Sequence, residues 1–130
     1  MGKASPRTVV LDAGALIALE KGDGRMRALC REAVGLGARL VVPSGVVGQV
    51  WRNGAKQVVV RALLDGPTTH VPVLDRVLAE AAGVLCARAG TSDVIDATVV
   101  LAAREERAIV VTSDPGDLRR LDPTLPIETI

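Results

Sequence analysis

Apolar positions fall in short uninterrupted runs that alternate with stretches of helical spacing. Residues 8–11 (Thr-Val-Val-Leu) form a continuous run closed by Asp12, the pattern of a strand buried on both faces. Residues 13–20 have helical spacing until Lys21-Gly22-Asp23-Gly24 breaks it, and residues 25–34 predict a second helix closed by Gly35 and Gly37. Residues 40–42 read as a strand stopped by Pro43. Residues 46–64 predict one long helix, weakened by Gly48 and Gly54 and ended by Asp65-Gly66-Pro67. A strand is expected over 70–74, and Asp75 is placed to cap a helix over 76–88 that stops at Gly90. A helix over 93–107, a strand over 108–112, a helical turn over 117–121 and an edge strand over 127–130 complete the chain. Short apolar strands alternating with helices predict one α/β domain over residues 1–130, a three-layer α/β/α sandwich around a central, mostly parallel sheet.

Composition narrows the chemistry. The chain has 130 residues, 48% of them apolar, yet Trp51 is its lone aromatic. The core must therefore be built from Val, Leu, Ile and Ala, and base stacking on aromatic platforms is excluded as a mode of RNA binding. A net charge of +1 excludes a protein that coats phosphates with basic residues; a nucleic acid would have to be held locally, by a metal and a few arginines. Cys30 and Cys86 lack the spacing of a zinc or redox motif and read as a reduced, buried pair. Met1 to Arg7 lead into the first strand without a signal-type apolar stretch, and no run approaches the ~20 residues of a membrane span. The expected location is the cytoplasm, with no membrane partner.

The acids carry the sharper signal. In open parallel sheets ligands bind beyond the carboxyl ends of the strands. Two strands end there in acids: Val9-Val10-Leu11 runs into Asp12, and Ile109-Val110-Val111-Thr112-Ser113 runs into Asp114. Asp93 and Asp96 open a helix three residues apart, on one face of its first turn. Each acid also has an ordinary structural reading. Asp12 and Asp93 suit N-caps, Asp96 an N3 acid, and Asp114-Pro115-Gly116-Asp117 an N-cap, a Pro at N1 and an N3 acid. Capping alone does not account for four acids at one sheet edge. Clustered carboxylates repel one another unless a cation neutralises them, and an all-oxygen set without His or Cys selects Mg²⁺ or Mn²⁺.

These segments resemble the PIN-domain family, and within it the VapC-type toxin ribonucleases, over nearly the whole chain. The resemblance rests on four motifs in order. They are Val9-Val10-Leu11-Asp12-Ala13-Gly14-Ala15-Leu16-Ile17-Ala18-Leu19; Val42-Pro43-Ser44-Gly45-Val46-Val47-Gly48-Gln49-Val50-Trp51-Arg52; Asp96-Ala97-Thr98-Val99-Val100-Leu101-Ala102-Ala103; and Val110-Val111-Thr112-Ser113-Asp114 followed by Asp117. It implies a PIN-like fold, a Mg²⁺- or Mn²⁺-dependent endoribonuclease acting on RNA, a homodimer, and a small cognate antitoxin as protein partner. By the same resemblance Asp12 and Asp96 are the main metal ligands, and Asp93 and Asp114 complete the acidic pocket. Thr112 or Ser113 hydrogen-bonds phosphate or coordinated water. One position departs from the family: Gln49 stands where Glu is usual, which removes a charge and opens the alternative of a weakened or silent PIN-like binding module.

Gln49, Arg52 and Lys56, spaced i, i+3, i+7 on the expected long helix, form either an RNA-phosphate track or a solvated face. Trp51 is expected in a core or dimer interface. His70, without a second His, is not a metal ligand. An aspartyl-phosphate phosphatase would want an acid two residues after Asp12, where Gly14 stands. A receiver domain would need an acid pair after the first strand and a Lys after a late one, and neither is present.

Overall fold

Parallel pairing sets the frame of the computed structural model, which describes residues 7–130. Strand β1 (Thr8–Leu11) leads into α1 (Ala13–Glu20) and α2 (Gly24–Gly35), and β2 (Arg39–Val41) into α3 (Ser44–Val50) and α4 (Val58–Leu64). Then come β3 (Thr69–His70), α5 (Arg76–Ala89), α6 (Val94–Glu106), β4 (Ile109–Thr112), α7 (Pro115–Leu121) and β5 (Ile127–Thr129). The five strands lie in the order β3-β2-β1-β4-β5, all parallel. The chain winds from β1 towards β3, then crosses to β4 and β5 on the other side of β1. The order thus reverses between β1 and β4, where Val9 pairs with Ile109 and Leu11 with Val111. Right-handed crossovers then place α1–α4 on one face and α5–α7 on the other. The packing of α1 on α2, α3 and α4, and of α6 on α5 and α7, agrees with these layers. The three-layer α/β/α architecture read from the sequence is the one present, with the sheet parallel throughout.

The core is aliphatic, as the composition requires: Val10, Leu11, Leu16, Val42, Val100 and Val110 are all 0% exposed. The cap at Asp75 and the stop at Gly90 fall where the sequence places them, and Asp23, read only as part of a break, caps α2. Asp23 Oδ1 accepts from Met26 N and Asp75 Oδ1 from Leu78 N, each at 2.9 Å, and Gly90 ends α5 in the left-handed conformation at φ +72°. Cys30 and Cys86 are both free and buried. Among the described residues no helix is long and apolar enough to cross a membrane. The leader reading falls largely on residues 1–6, outside the described residues.

Two expectations are corrected. The long helix over 46–64 is two helices, because a side chain takes over the hydrogen bonds that would have continued it. Trp51 turns extended (φ −70°, ψ 123°). Gln57, 6% exposed, then accepts at Oε1 from Arg52 N (2.7 Å) and Asn53 N (2.9 Å) and donates from Nε2 to Val50 O (2.9 Å). The half-buried Trp51 ring folds back over Gly54, where a Cβ would come within 2.7 Å of Trp51 Cζ2, so it packs on its own loop. The strand expected over 70–74 is only Thr69–His70. Pro72 has no N–H for a ladder, and beyond it Leu74 N donates to Ser44 Oγ at 3.0 Å instead of to a strand.

Candidate active site

The carboxyl ends of β1 and β4 are tied together by a relay of hydrogen bonds. Asp12, the residue after β1, caps α1 through Oδ1, which accepts from Ala15 N at 2.9 Å. Its Oδ2 accepts from Thr112 Oγ1 at the end of β4, and Thr112 Oγ1 accepts in turn from Asp114 N at 2.9 Å. Asp12 is 8% exposed and Thr112 0%. Burial pushes the Asp12 carboxyl above its ordinary value, against the Thr112 and Ala15 hydrogen bonds that lower it, and the Asp114 charge adds to the rise. Thr112, 0% exposed, is too buried to reach a substrate phosphate as expected, and its hydroxyl instead holds Asp12.

The third contribution comes from α6. Asp93 caps that helix, its Oδ1 accepting from Asp96 N at 2.9 Å, so the capping reading and the clustering reading are both satisfied by one side chain. Asp96 is pushed up to about 7. Burial is the largest cause, followed by the charge and hydrogen bonding of Asp93 and then the charges of Asp117 and Asp12. Asp114 opens α7 without a side-chain capping bond. The cap assigned to it from the sequence is absent, and its carboxylate is spent on no helix.

These acids share one cleft. Asp12, Asp93, Asp96, Asp114 and Asp117 line a space of about 340 Å³ together with Gln49, Arg52, Ser113 and Gly14. Two small residues let its walls approach. A Cβ on Gly14 would overlap Ser113 Oγ, and one on Gly45 of α3 would overlap the Cδ1 of Ile95, the neighbour of Asp96 on α6. A second cleft of about 530 Å³ adjoins it, sharing Asp93, Asp96 and Asp117 and adding Thr91, Ser92 and Arg120.

Gln49 and Arg52 thus stand at the acids, but not by way of a helical stripe. The chain breaks after Val50, and Lys56 lines neither cleft. The three-residue phosphate track expected on a long helix does not exist as a face. His70 lies in a separate cavity with Glu105 and Glu106. Arg120 and Gln57 were missed. The first could have been found, since it follows Asp117 by one helical turn on α7; a buried carboxamide bracing a loop leaves no periodic trace.

The donor chemistry suits a hard divalent cation: five carboxylates, no His, no Cys, and one acid, Asp96, raised first by burial and then by the charges of its acidic neighbours. Among the described residues no three or more such side chains stand in a ready metal-binding arrangement. Asp12 and Asp93 aim oxygens at helix N–H groups, whereas Asp114 and Asp117 are exposed and have rotamers with which to close on an ion.

Fold and site together define a class: a doubly wound parallel α/β domain whose acid-lined cleft sits at the switch point of the sheet. A chain in the crystal structure of VapBC2 from Rickettsia felis bound to a DNA fragment from their promoter shares this fold, with a TM-score of 0.68 over 95% of this chain and 98% of that one, at 15% identity. A chain in the structure of FitAcB from Neisseria gonorrhoeae does so with a TM-score of 0.60 over 92% and 95%, at 17% identity. At such identities the likeness is one of fold. No family model and no curated protein matches the sequence.

Proposed function

We propose that this protein is a Mg²⁺- or Mn²⁺-dependent endoribonuclease of the PIN type, the toxin of a toxin–antitoxin pair, acting as a cytoplasmic homodimer held in check by a small antitoxin. The observation that carries the reading is the meeting of Asp12, Asp93, Asp96 and Asp114 in one cleft, with Asp96 raised to about 7 by burial and by its neighbours' charge. The likeness of fold to chains of the VapBC2 and FitAcB structures supports the toxin–antitoxin part.

In this reading Asp12 and Asp96 hold the ion, with Asp93 and Asp114 completing the set directly or through water. When bound, the ion neutralises charge building on the phosphodiester and makes the attacking water more acidic. Thr112 keeps Asp12 turned towards the cleft, and Ser113, exposed at the rim, offers a hydroxyl to a phosphate oxygen. Gln49 presents a neutral amide, able to orient water or ligate through oxygen but not to act as a base. The test is incubation of the purified protein with total RNA in Mg²⁺, in Mn²⁺ and in EDTA, beside Asp96→Asn. Cutting that needs the metal and is lost in the variant is expected; no metal-dependent cutting would leave a binding protein of the same fold.

A further inference from the structure

Each of the two adjoining clefts carries one arginine. Arg52, in the turn after α3, lines the cleft that holds Gln49 and Asp12; Arg120, in the last turn of α7, lines the one that holds Thr91 and Ser92. The clefts share Asp93, Asp96 and Asp117, and neither arginine lines both, so the two arginines meet the shared acids by way of different clefts. Neither forms an ion pair among the described residues, although five carboxylates line the cleft of Arg52 and three that of Arg120. Arg52 is braced: its Nη1 donates to Gly48 O (2.9 Å) and Trp51 O (2.7 Å), and its backbone N–H to Gln57 Oε1. Those bonds use one of its nitrogens and leave the rest of the fork for another acceptor.

We infer that a single-stranded RNA crosses the two clefts, with Arg52 holding a phosphate on one side of the reactive one and Arg120 holding a phosphate on the other. The inference rests on the ribonuclease reading for the position of the reactive phosphate over the acids. A single strand suits a buried acid: Asp12, which lines the first cleft, is 8% exposed. An unpaired chain can fold a phosphate down to that depth, whereas a duplex keeps its backbone on a rigid A-form surface. The acids repel RNA, and the flanking guanidiniums are what would hold the strand across them.

The experiment compares Arg52→Gln, Arg120→Gln and, as a control of equal charge change lining neither cleft, Arg119→Gln. Binding of a short labelled single-stranded oligoribonucleotide is measured against salt in an Asp96→Asn background, which keeps the probe intact. Steady-state cleavage of the same oligonucleotide is measured with Asp96 present. Arg52→Gln and Arg120→Gln are each expected to raise Kd and KM about tenfold with kcat within about twofold, as loss of uniform binding demands. Each should also reduce the slope of log K against log salt by about one. Arg119→Gln should do neither, and Arg120→Lys should recover the salt slope. If the protein cuts RNA while both Gln variants match the control, the path is wrong and the nuclease reading stands. If it cuts no RNA but both variants lose binding, the nuclease reading is wrong and the path stands.

Discussion

Asp122 and Asp96 show how differently one residue type is used in this molecule. Asp122, 6% exposed, is held below its ordinary value by the Thr124 hydroxyl and by Arg104, whose Nε donates to it at 2.9 Å. It is an acid with every need met. Asp96 forms no ion pair among the described residues and has three acids around it, and is raised from 3.8 to about 7. An acid whose folded value is raised keeps a proton that the unfolded chain has already lost, so its contribution is complete below about pH 4 and disappears as pH rises through about 7. Asp96→Asn mimics the protonated form. In EDTA the variant should melt with the wild type near pH 4 and above it at about pH 8; equal melting at both would show that Asp96 ionises freely. Gln49 invites the opposite change. Gln49→Glu adds a sixth carboxylate to the cleft and should tighten Mg²⁺ binding about tenfold by calorimetry while lowering the metal-free melting temperature. Unchanged affinity would remove Gln49 from the metal's surroundings. Thr112→Val keeps shape but takes the hydroxyl from Asp12 Oδ2 and from Asp114 N. Leaving two polar groups short of a partner should cost about 1–3 kcal/mol in urea unfolding and reduce cleavage more than RNA binding.

At the scale of elements, what was legible in the sequence was what local chemistry decides. The uniform runs of β1 and β4, the caps at Asp12, Asp75 and Asp93, and the stop at Gly90 all carry their reason within a few residues. That Asp12, Asp96 and Asp114 belong to one site was legible from topology, since strand ends and a helix start abut the same sheet edge. The break after α3 was not, because apolar spacing runs on through Val58, Val60, Leu63 and Leu64 as though the helix continued. What stops it is tertiary: Gln57 is buried, and its amide satisfies Val50, Arg52 and Asn53. The loss of Lys56 from the site follows from that one side chain. Gln57→Ala should therefore destabilise by about 1–3 kcal/mol, the range for buried groups left unpaired. Because it loosens the turn bearing Arg52, it should also weaken oligoribonucleotide binding towards the level of Arg52→Gln. A variant that lost stability but kept full RNA affinity would separate the brace from the site.

Charge distribution sets the problem for the whole molecule. The net charge is +1, yet five of its fifteen acids gather at one cleft, so the rest of the chain is basic in balance while the cleft is strongly acidic. The fold tolerates that concentration because the acids come from the end of β1, the start of α6, the β4–α7 turn and the first turn of α7, elements whose packing elsewhere is aliphatic. A cation that binds this native cluster and not the unfolded chain must stabilise the protein, by ~2.7 kcal/mol at a hundredfold excess over its Kd. It must also flatten the pH dependence of stability between about pH 4 and 7, because it replaces the proton on Asp96. Screening alone would act differently: NaCl at equal ionic strength weakens repulsion among all exposed charges without preference for the cleft. The expected result at neutral pH is a melting temperature raised by millimolar MgCl₂ well beyond the NaCl control. Asp12→Asn or Asp96→Asn should abolish that rise, while Asp75→Asn, outside the cleft, should leave it intact. Equal shifts in MgCl₂ and NaCl would mean that the acids meet but hold no ion, and catalysis through a cation would fall with them.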